Sequence, residues 1–286
     1  MRENPIAVAP PYQLVRARHG WMLANPNDFY IGKAILEYGE YGELEGRLLA
    51  ALLPVRPGKV VEIGANIGCH SVALARALAI DRRELVVFEP QPFLFQNLCA
   101  NLALNGLGNV TALPFACGAH AGTVYFSPPD YMVQGNFGGV SMAEAVQPGS
   151  VAVSGVRVDD ILGTEAVSLL KVDVEGNELG ALQGATRVLS TSRPLVYVEN
   201  DRVEKSRALI EWLWSQIYRL FWHCPRLFNP DNFFEREQNI YGKAGSLNML
   251  GVPRELENPV EGLEEITSAA QHPTMKVPGI APSADR

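Results

Sequence analysis

Residues 60–78 read VVEIGANIGCHSVALARAL. A β-branched run stops at Gly64, passes through a short turn closed by Gly68, and resumes with apolar residues at helical spacing. Such a joint, strand to glycine-bounded turn to helix, is where open parallel sheets present backbone polar groups to a ligand. The alternation repeats outward from it. ELVVFEP (84–90) is expected as a strand, 91–105 as a helix with Leu94, Leu98 and Leu102 on one stripe, and NVTALPF (109–115) as a third strand. SLLKVDVEG (168–176) follows as a strand, EGNELGALQGATRVL (175–189) as one helix, and PLVYVEN (194–200) as a strand. A helix at about 204–217 and two closing strands, YRLFWHC (218–224) and SLNMLGVP (246–253), paired as an antiparallel hairpin, complete the pattern. Strands apolar on both sides need helices on both faces, which predicts an α/β fold with a mostly parallel, doubly wound sheet.

Flanking segments read differently. The first 20 residues show no sustained period and are expected as an irregular lead-in, followed by a helix with Leu44, Leu48 and Leu52 on one face. The expected organisation is a lead-in and helix over 1–55, the ligand-binding domain over 56–253, and a mobile tail over 254–286, where prolines, acids and small residues mix without a period. The chain has 286 residues, 47% hydrophobic, with 24 basic against 31 acidic residues and a net charge of −7. That balance leaves no cationic face for phosphate backbones, so no nucleic-acid partner is expected. No basic-then-apolar leader opens the chain and no apolar run approaches the ~18 residues of a membrane helix, so a cytoplasmic protein without a membrane partner is expected. Cys69, Cys99, Cys117 and Cys224 lack metal or disulfide spacing and read as buried thiols.

The chemistry of the turn narrows the ligand. Gly64 can adopt dihedrals forbidden to other residues, Ala65 is small, and Gly68 lets the helix start lie close to its neighbours. A dinucleotide fingerprint needs a central glycine against the pyrophosphate, and here that position is Asn66. GxNxG preceded by Glu62 instead suits a ligand without phosphate whose amino acid end carries an ammonium and a carboxylate, S-adenosylmethionine. Glu89 lies 25 residues past Gly64, at the end of the second strand, where a carboxylate can accept both ribose hydroxyls.

VVEIGANIGCHS, VVFEPQPFLFQNLCANLALNG, ALPFACGAHAG, LLKVDVEGNELGALQGA and RPLVYVEN resemble, in order and spacing, the FkbM family of S-adenosylmethionine-dependent methyltransferases over about residues 38–253. The resemblance implies a class I methyltransferase fold, Rossmann-like and seven-stranded. It further implies methyl transfer to a hydroxyl, often on a sugar, polysaccharide or secondary metabolite. Carried over by position, the cofactor-binding set is Glu62, Gly64, Ala65, Asn66, Gly68, Glu89, Pro90, Ala116 and Asp173, with Ala116 bordering adenine and Asp173 and Glu175 matching the acidic motif after the fourth strand. VRVDDIL departs from the family's usual threonine or serine and leucine before the aspartate, outside the cofactor turn.

Methyl transfer from a sulfonium is an in-line displacement, so the hydroxyl must be positioned and relieved of its proton. Asp173, and with it Glu175, are the candidate catalytic residues; holding the methionine ammonium or capping the next helix are their competing readings. A magnesium ion on Asp173, Glu199 and Asn200 could instead acidify a hydroxyl, though VYVENDR also reads as a strand ending in a polar turn. His70 and His223 are alternative bases, or satisfied core histidines. Phe221, Trp222, Phe228, Phe233 and Phe234 form either a lid over the acceptor or simple packing, and the loop 127–141 with Tyr131, Asn136, Phe137 and Gly138 is a candidate acceptor wall. Two rivals remain at this level: an NAD oxidoreductase, disfavoured by Asn66 and by the absence of a YxxxK pair, and a cofactor-binding scaffold without catalysis.

Overall fold

The computed structural model of the protein describes residues 6–143, 146 and 148–276. Eight strands among these form the central sheet: β1 Lys59–Ile63, β2 Leu85–Phe88, β3 Val110–Leu113, β4 Val167–Val172, β5 Leu195–Glu199, β6 Tyr218–His223, β7 Asn248–Pro253 and β8 Glu264–Glu265. Their order is β8-β6-β7-β5-β4-β1-β2-β3. β5, β4, β1, β2 and β3 run parallel, and β7, β6 and β8 join antiparallel at one edge. The chain leaves β1 in both directions across the sheet, and the crevice of a doubly wound fold opens at such a reversal, beyond the carboxyl ends of the strands.

Period-two alternation divides the sheet into two apolar faces. Val60, Leu85, Val87, Leu169, Leu195 and Tyr197 pack on one side, and Val61, Ile63, Val86, Phe88, Leu170, Val172, Val196 and Val198 on the other. The first face is covered by helices Ile31–Tyr38, Glu43–Leu52, Cys69–Ile80 and Pro92–Leu104; the second by Val158–Leu162, Glu178–Gln183, Thr186–Thr191 and Val203–Ser215. Each fully buried aliphatic side chain contributes roughly 1.5–3 kcal/mol by leaving water, so these two layers dominate stability.

Four expectations are corrected. The described part of the lead-in is not irregular: Gln13–Ala17 and Gly20–Ala24 form an antiparallel hairpin, and residues 1–5 lie outside the described residues. Asn97 and Asn101 on helix Pro92–Leu104, and Asn105 at its C-cap, one turn apart, bind the hairpin backbone at Trp21 and Leu23. Over its described part, 254–276, the tail is built into the fold rather than mobile: Glu264–Glu265 pairs with Phe221 and Trp222 as the eighth strand, Ile266 enters the core, and His272 is buried with a ring nitrogen 2.8 Å from the Asn200 carbonyl, while 277–286 lie outside the described residues. The sheet is therefore one strand wider than the seven expected. The helix expected over 175–189 starts only at Glu178 and breaks at Gly184 and Ala185, where a Cβ on Gly184 would lie 2.1 Å from the Gly118 carbonyl oxygen. Among the described residues, no helix is long and apolar enough to cross a membrane. A smaller sheet of Ala116–Cys117, Gly122–Phe126 and Val151–Val156 flanks the crevice.

Candidate functional site

Where the tip of β1 meets that of β4, the backbone allows only glycine at position 64. Gly64 has φ +87°, and a Cβ there would fall 1.7 Å from the Asp173 carbonyl oxygen. Its N–H and that of Ala65 both donate to the Phe88 carbonyl, at 2.9 and 3.0 Å, which ties the turn to β2. Asn66 takes φ 51°, in the left-handed region that asparagine tolerates. Gly68 serves packing: a Cβ would meet Leu98 Cδ1 at 2.7 Å. A single cavity above this joint is lined by Glu62, Gly64, Ala65, Asn66, Glu89, Pro90, Ala116, Asp173 and Glu175, so of the residues singled out for cofactor and catalysis only Gly68 lies outside its wall.

Glu89 is 4% exposed and accepts the Asn66 N–H at 2.8 Å on one oxygen and the Gln91 N–H at 2.9 Å on the other. Each oxygen keeps a lone pair for a further donor. Burial pushes this carboxyl up to about 7, against the pull of those two N–H groups. The loop 127–141 closes beside it: Gln91 Nε2 donates to the Phe137 carbonyl, Tyr131 Oη donates to Gln91 Oε1, and Tyr131 stacks on Phe93 at 3.9 Å. Asn136, Gly138 and Val140 of that loop reach the cavity.

Lys171 was not singled out from the sequence, yet it organises the floor. It is 2% exposed, pairs in register with Glu62, and places Nζ 3.4 Å from Glu62 Oε1 and 3.3 Å from Asp173 Oδ2. Glu62 also accepts Ser71 Oγ at 2.5 Å. Burial opposes the Lys171 charge, but Asp173 and Glu62 outweigh it and hold the ammonium above its ordinary range. Glu62 is thus engaged inside the protein, while Asp173, with its side chain 37% exposed, faces the cavity. A lysine in the otherwise apolar VSLLKV was the available signal, since a buried ammonium requires a partner.

Past Asp173 the chain turns through Glu175 (φ 54°) and Gly176 (φ 96°). Neither Asp173 nor Glu175 caps the next helix, which begins at Glu178 with Asn177 at its cap. Glu175 instead accepts Arg202 Nη2 at 3.1 Å. Burial, then Asp173 and Asp201, push its carboxyl up to about 8. Glu199 is driven well above the ordinary carboxylate range by burial and then by Asp173 and Glu175. One oxygen each of Asp173, Glu175 and Glu199 lie within 4.8 Å of one another. Asn200, expected in a metal set with Asp173 and Glu199, is elsewhere: its amide donates to Met249 Sδ on the opposite side of the strand. Successive residues of an extended chain point to opposite faces, so Glu199 and Asp201 share the cavity that Asn200 leaves.

The two histidines are engaged. His70 lines the cavity, but its Nε2 lies 3.1 Å from the Gly42 carbonyl and burial lowers its basicity. His223 Nδ1 is 2.8 Å from Tyr197 Oη, and burial again lowers its basicity. The aromatic set does not form a lid: Phe228 packs edge-on to Tyr38, Phe234 N–H donates to the Tyr38 carbonyl, Phe221 is in the core, and the same segment reaches the cavity through Leu227 and 245–248. Tyr30, Tyr41 and Glu45 add a wall from the N-terminal helices that the sequence reading missed.

A family model described as the methyltransferase FkbM domain matches residues 62–220, just over half of the chain. The chain belongs to the FkbM methyltransferase family. The matched span runs from Glu62 into β6 and includes Glu89, Lys171, Asp173, Glu175, Glu199 and Asp201. Among curated relatives of this FkbM chain, hexuronic acid methyltransferase AglP of Haloferax volcanii is 26% identical over 133 residues, 46% of the chain and 51% of that protein. Methyltransferase sdnD of Sordaria araneosa is 34% identical over 164 residues, 47% of the chain and 62% of that protein. The chain thus spans about half to three-fifths of the length of these relatives. Solved structures with similar folds include methyltransferase FkbM from Methylobacillus flagellatus (TM-score 0.45, 18% identity, 68% of this chain and 43% of that one). The O-methyltransferase TomG from Streptomyces achromogenes in complex with SAM is another (TM-score 0.44, 18% identity, 73% and 79%). Membership in the family replaces the oxidoreductase reading.

Proposed function

We propose that the protein transfers the methyl group of S-adenosylmethionine to a hydroxyl of a sugar or another hydroxyl-rich small molecule. The observation that carries this reading is Glu89, a buried carboxylate whose two oxygens are each fixed by one backbone N–H and open onto the cavity beside the Gly64–Asn66 turn. That geometry fits two adjacent ribose hydroxyls, and glycine at 64 lets the turn lie directly against the Asp173 backbone. Asn66, in place of a central glycine, suits a ligand without a pyrophosphate. When bound, S-adenosylmethionine supplies an electrophilic methyl on a positively charged sulfur.

The chain's residues do the rest. Glu89 binds the ribose, the Gly64–Ala65 backbone borders the amino acid end, and Ala116 and the loop at Asn136–Val140 narrow the adenine side. To Asp173, which faces the cavity with its side chain partly exposed, this reading gives the acceptor's hydroxyl proton, a role worth typically ~10²–10⁴-fold. Lys171 fixes the orientation of Asp173 through one oxygen. The relative named as a hexuronic acid methyltransferase supports a carbohydrate acceptor.

Incubation of the full chain with methyl-labelled S-adenosylmethionine and a panel of sugars, uronates and polyols tests this. Label in an alkali-stable ether together with S-adenosylhomocysteine is expected. Tight cofactor binding with neither product across the panel would point to a scaffold.

A further inference from the structure

We propose that Asp173, Glu175 and Glu199, with Asp201 beside them, hold a hard divalent cation of the magnesium or calcium class at the acceptor end of the crevice. The first observation is geometric. Two oxygens on opposite sides of a cation are separated by at most twice the metal–oxygen distance, about 4.1 Å for magnesium and about 4.8 Å for calcium. The three carboxylates already place one oxygen each within 4.8 Å of one another, so a cation of this class is reached by side-chain adjustment alone.

The second observation is independent of the first. Asp201 is 5% exposed, and its Oδ2 is buried without a hydrogen-bond partner among the described residues; Glu199 Oε2 is in the same condition. Both residues line the same cavity as Asp173 and Glu175. A buried carboxylate oxygen is ordinarily satisfied, and two unsatisfied ones on one cavity floor mark a missing positive ligand.

Charge counting gives the same answer. Arg202 serves both Glu175, at 3.1 Å, and Asp201 Oδ1, at 3.4 Å. Lys171 divides its charge between Asp173 and Glu62. Among the described residues neither cation pairs with Glu199. Two monovalent side chains therefore face five carboxyl groups, more than they can serve, and a divalent ion fits the shortfall.

Oxygen-only ligation selects hard cations over zinc or copper, which favour nitrogen and sulfur. Three protein oxygens leave about three positions of an octahedral shell, enough for two oxygens of a vicinal diol or hydroxy acid and one water. This use of the ion rests on the methyl-transfer reading; the ion site itself does not.

The test separates the two. Chelator-treated full chain, without cofactor or acceptor, is titrated with Mn²⁺ and followed by the electron paramagnetic resonance of the free ion, with Mg²⁺ and Ca²⁺ as competitors. One ion per chain with Kd below about 10⁻³ M, weakened at least tenfold in both Glu199→Gln and Glu175→Gln, is expected. In the metal-free state Glu199→Gln should melt higher than wild type, because the cost of burying that carboxyl is gone, and should lose the rise in Tm that the ion gives wild type. Absence of stoichiometric Mn²⁺ binding by the wild-type chain, or binding that neither substitution weakens, overturns the proposal. Failure of methyl transfer with Mn²⁺ still bound would refute the function and leave the site standing.

Discussion

Replacing Lys171 by methionine removes the one cation beside Glu62 while nearly preserving volume. Glu62 is 1% exposed and among the described residues keeps only Ser71 Oγ, so its carboxylate becomes a buried charge without a counter-ion. Asp173 loses the same ammonium but is open to the cavity, and it should suffer less. Breaking a buried pair by deleting one partner destabilises by about 3–5 kcal/mol. Chains of this length lose about 2–3 °C of Tm per kcal/mol, which gives a fall of roughly 6–15 °C. The assay is thermal and urea unfolding of wild type, Lys171→Met, Glu62→Gln and the double variant. If the pair is the cause, the double variant should recover most of what Lys171→Met loses, since two neutral side chains leave no orphaned charge. A Lys171→Met protein as stable as wild type, or a double variant no better than the single one, would refute the assignment of Lys171 as the counter-ion of the floor.

The remaining predictions concern the crevice. Burial raises the Glu89 carboxyl to about 7, whereas ribose hydroxyls favour its ionised form. Binding therefore releases a proton, and cofactor affinity should rise with pH up to about 7 and level off above it; Glu89→Gln should bind weakly with a flat profile by calorimetry. The same raised value makes the folded state hold a proton that the unfolded chain has lost, so Glu89 opposes folding increasingly as pH rises from about 4.3 toward 7, and Glu89→Gln should gain Tm over that interval. Asp173→Asn should lower kcat by ~10²-fold or more with little change in cofactor Kd; equal losses in both would assign Asp173 to the methionine ammonium instead. Gly64→Ala should fail to bind cofactor or to fold, because its Cβ meets the Asp173 carbonyl. Gly106→Ala, also at positive φ but in open space, should cost only about 1 kcal/mol.

The sheet was legible because its strands are apolar runs on both faces, punctuated by turns, and because Gly64 and Glu89 sit at strand ends where the crevice of such a fold must open. The hairpin at 13–24 was not: it is held from outside, by three asparagines along a helix and its C-cap some eighty residues on. The strand at 264–265 was invisible for a related reason, since two glutamates gain their place only by pairing at an edge while Ile266 carries the burial. Asn200 was misplaced because adjacent residues of an extended chain were assigned to one face; period two would have selected Glu175 and Asp201 to accompany Asp173 and Glu199. Lys171 lay in plain sight inside a buried strand, and its meaning depended on Glu62 standing opposite it in register.

The central claim is that the crevice takes a nucleoside-bearing sulfonium. Calorimetric titration of the full chain with S-adenosylmethionine, S-adenosylhomocysteine and NAD tests it most directly. One site for the first two, weakened in Glu89→Ala by the ~1.5–3 kcal/mol of a charge-assisted hydrogen bond, is the result expected. Heat with NAD alone, or binding of S-adenosylmethionine that ignores Glu89→Ala, would contradict the account.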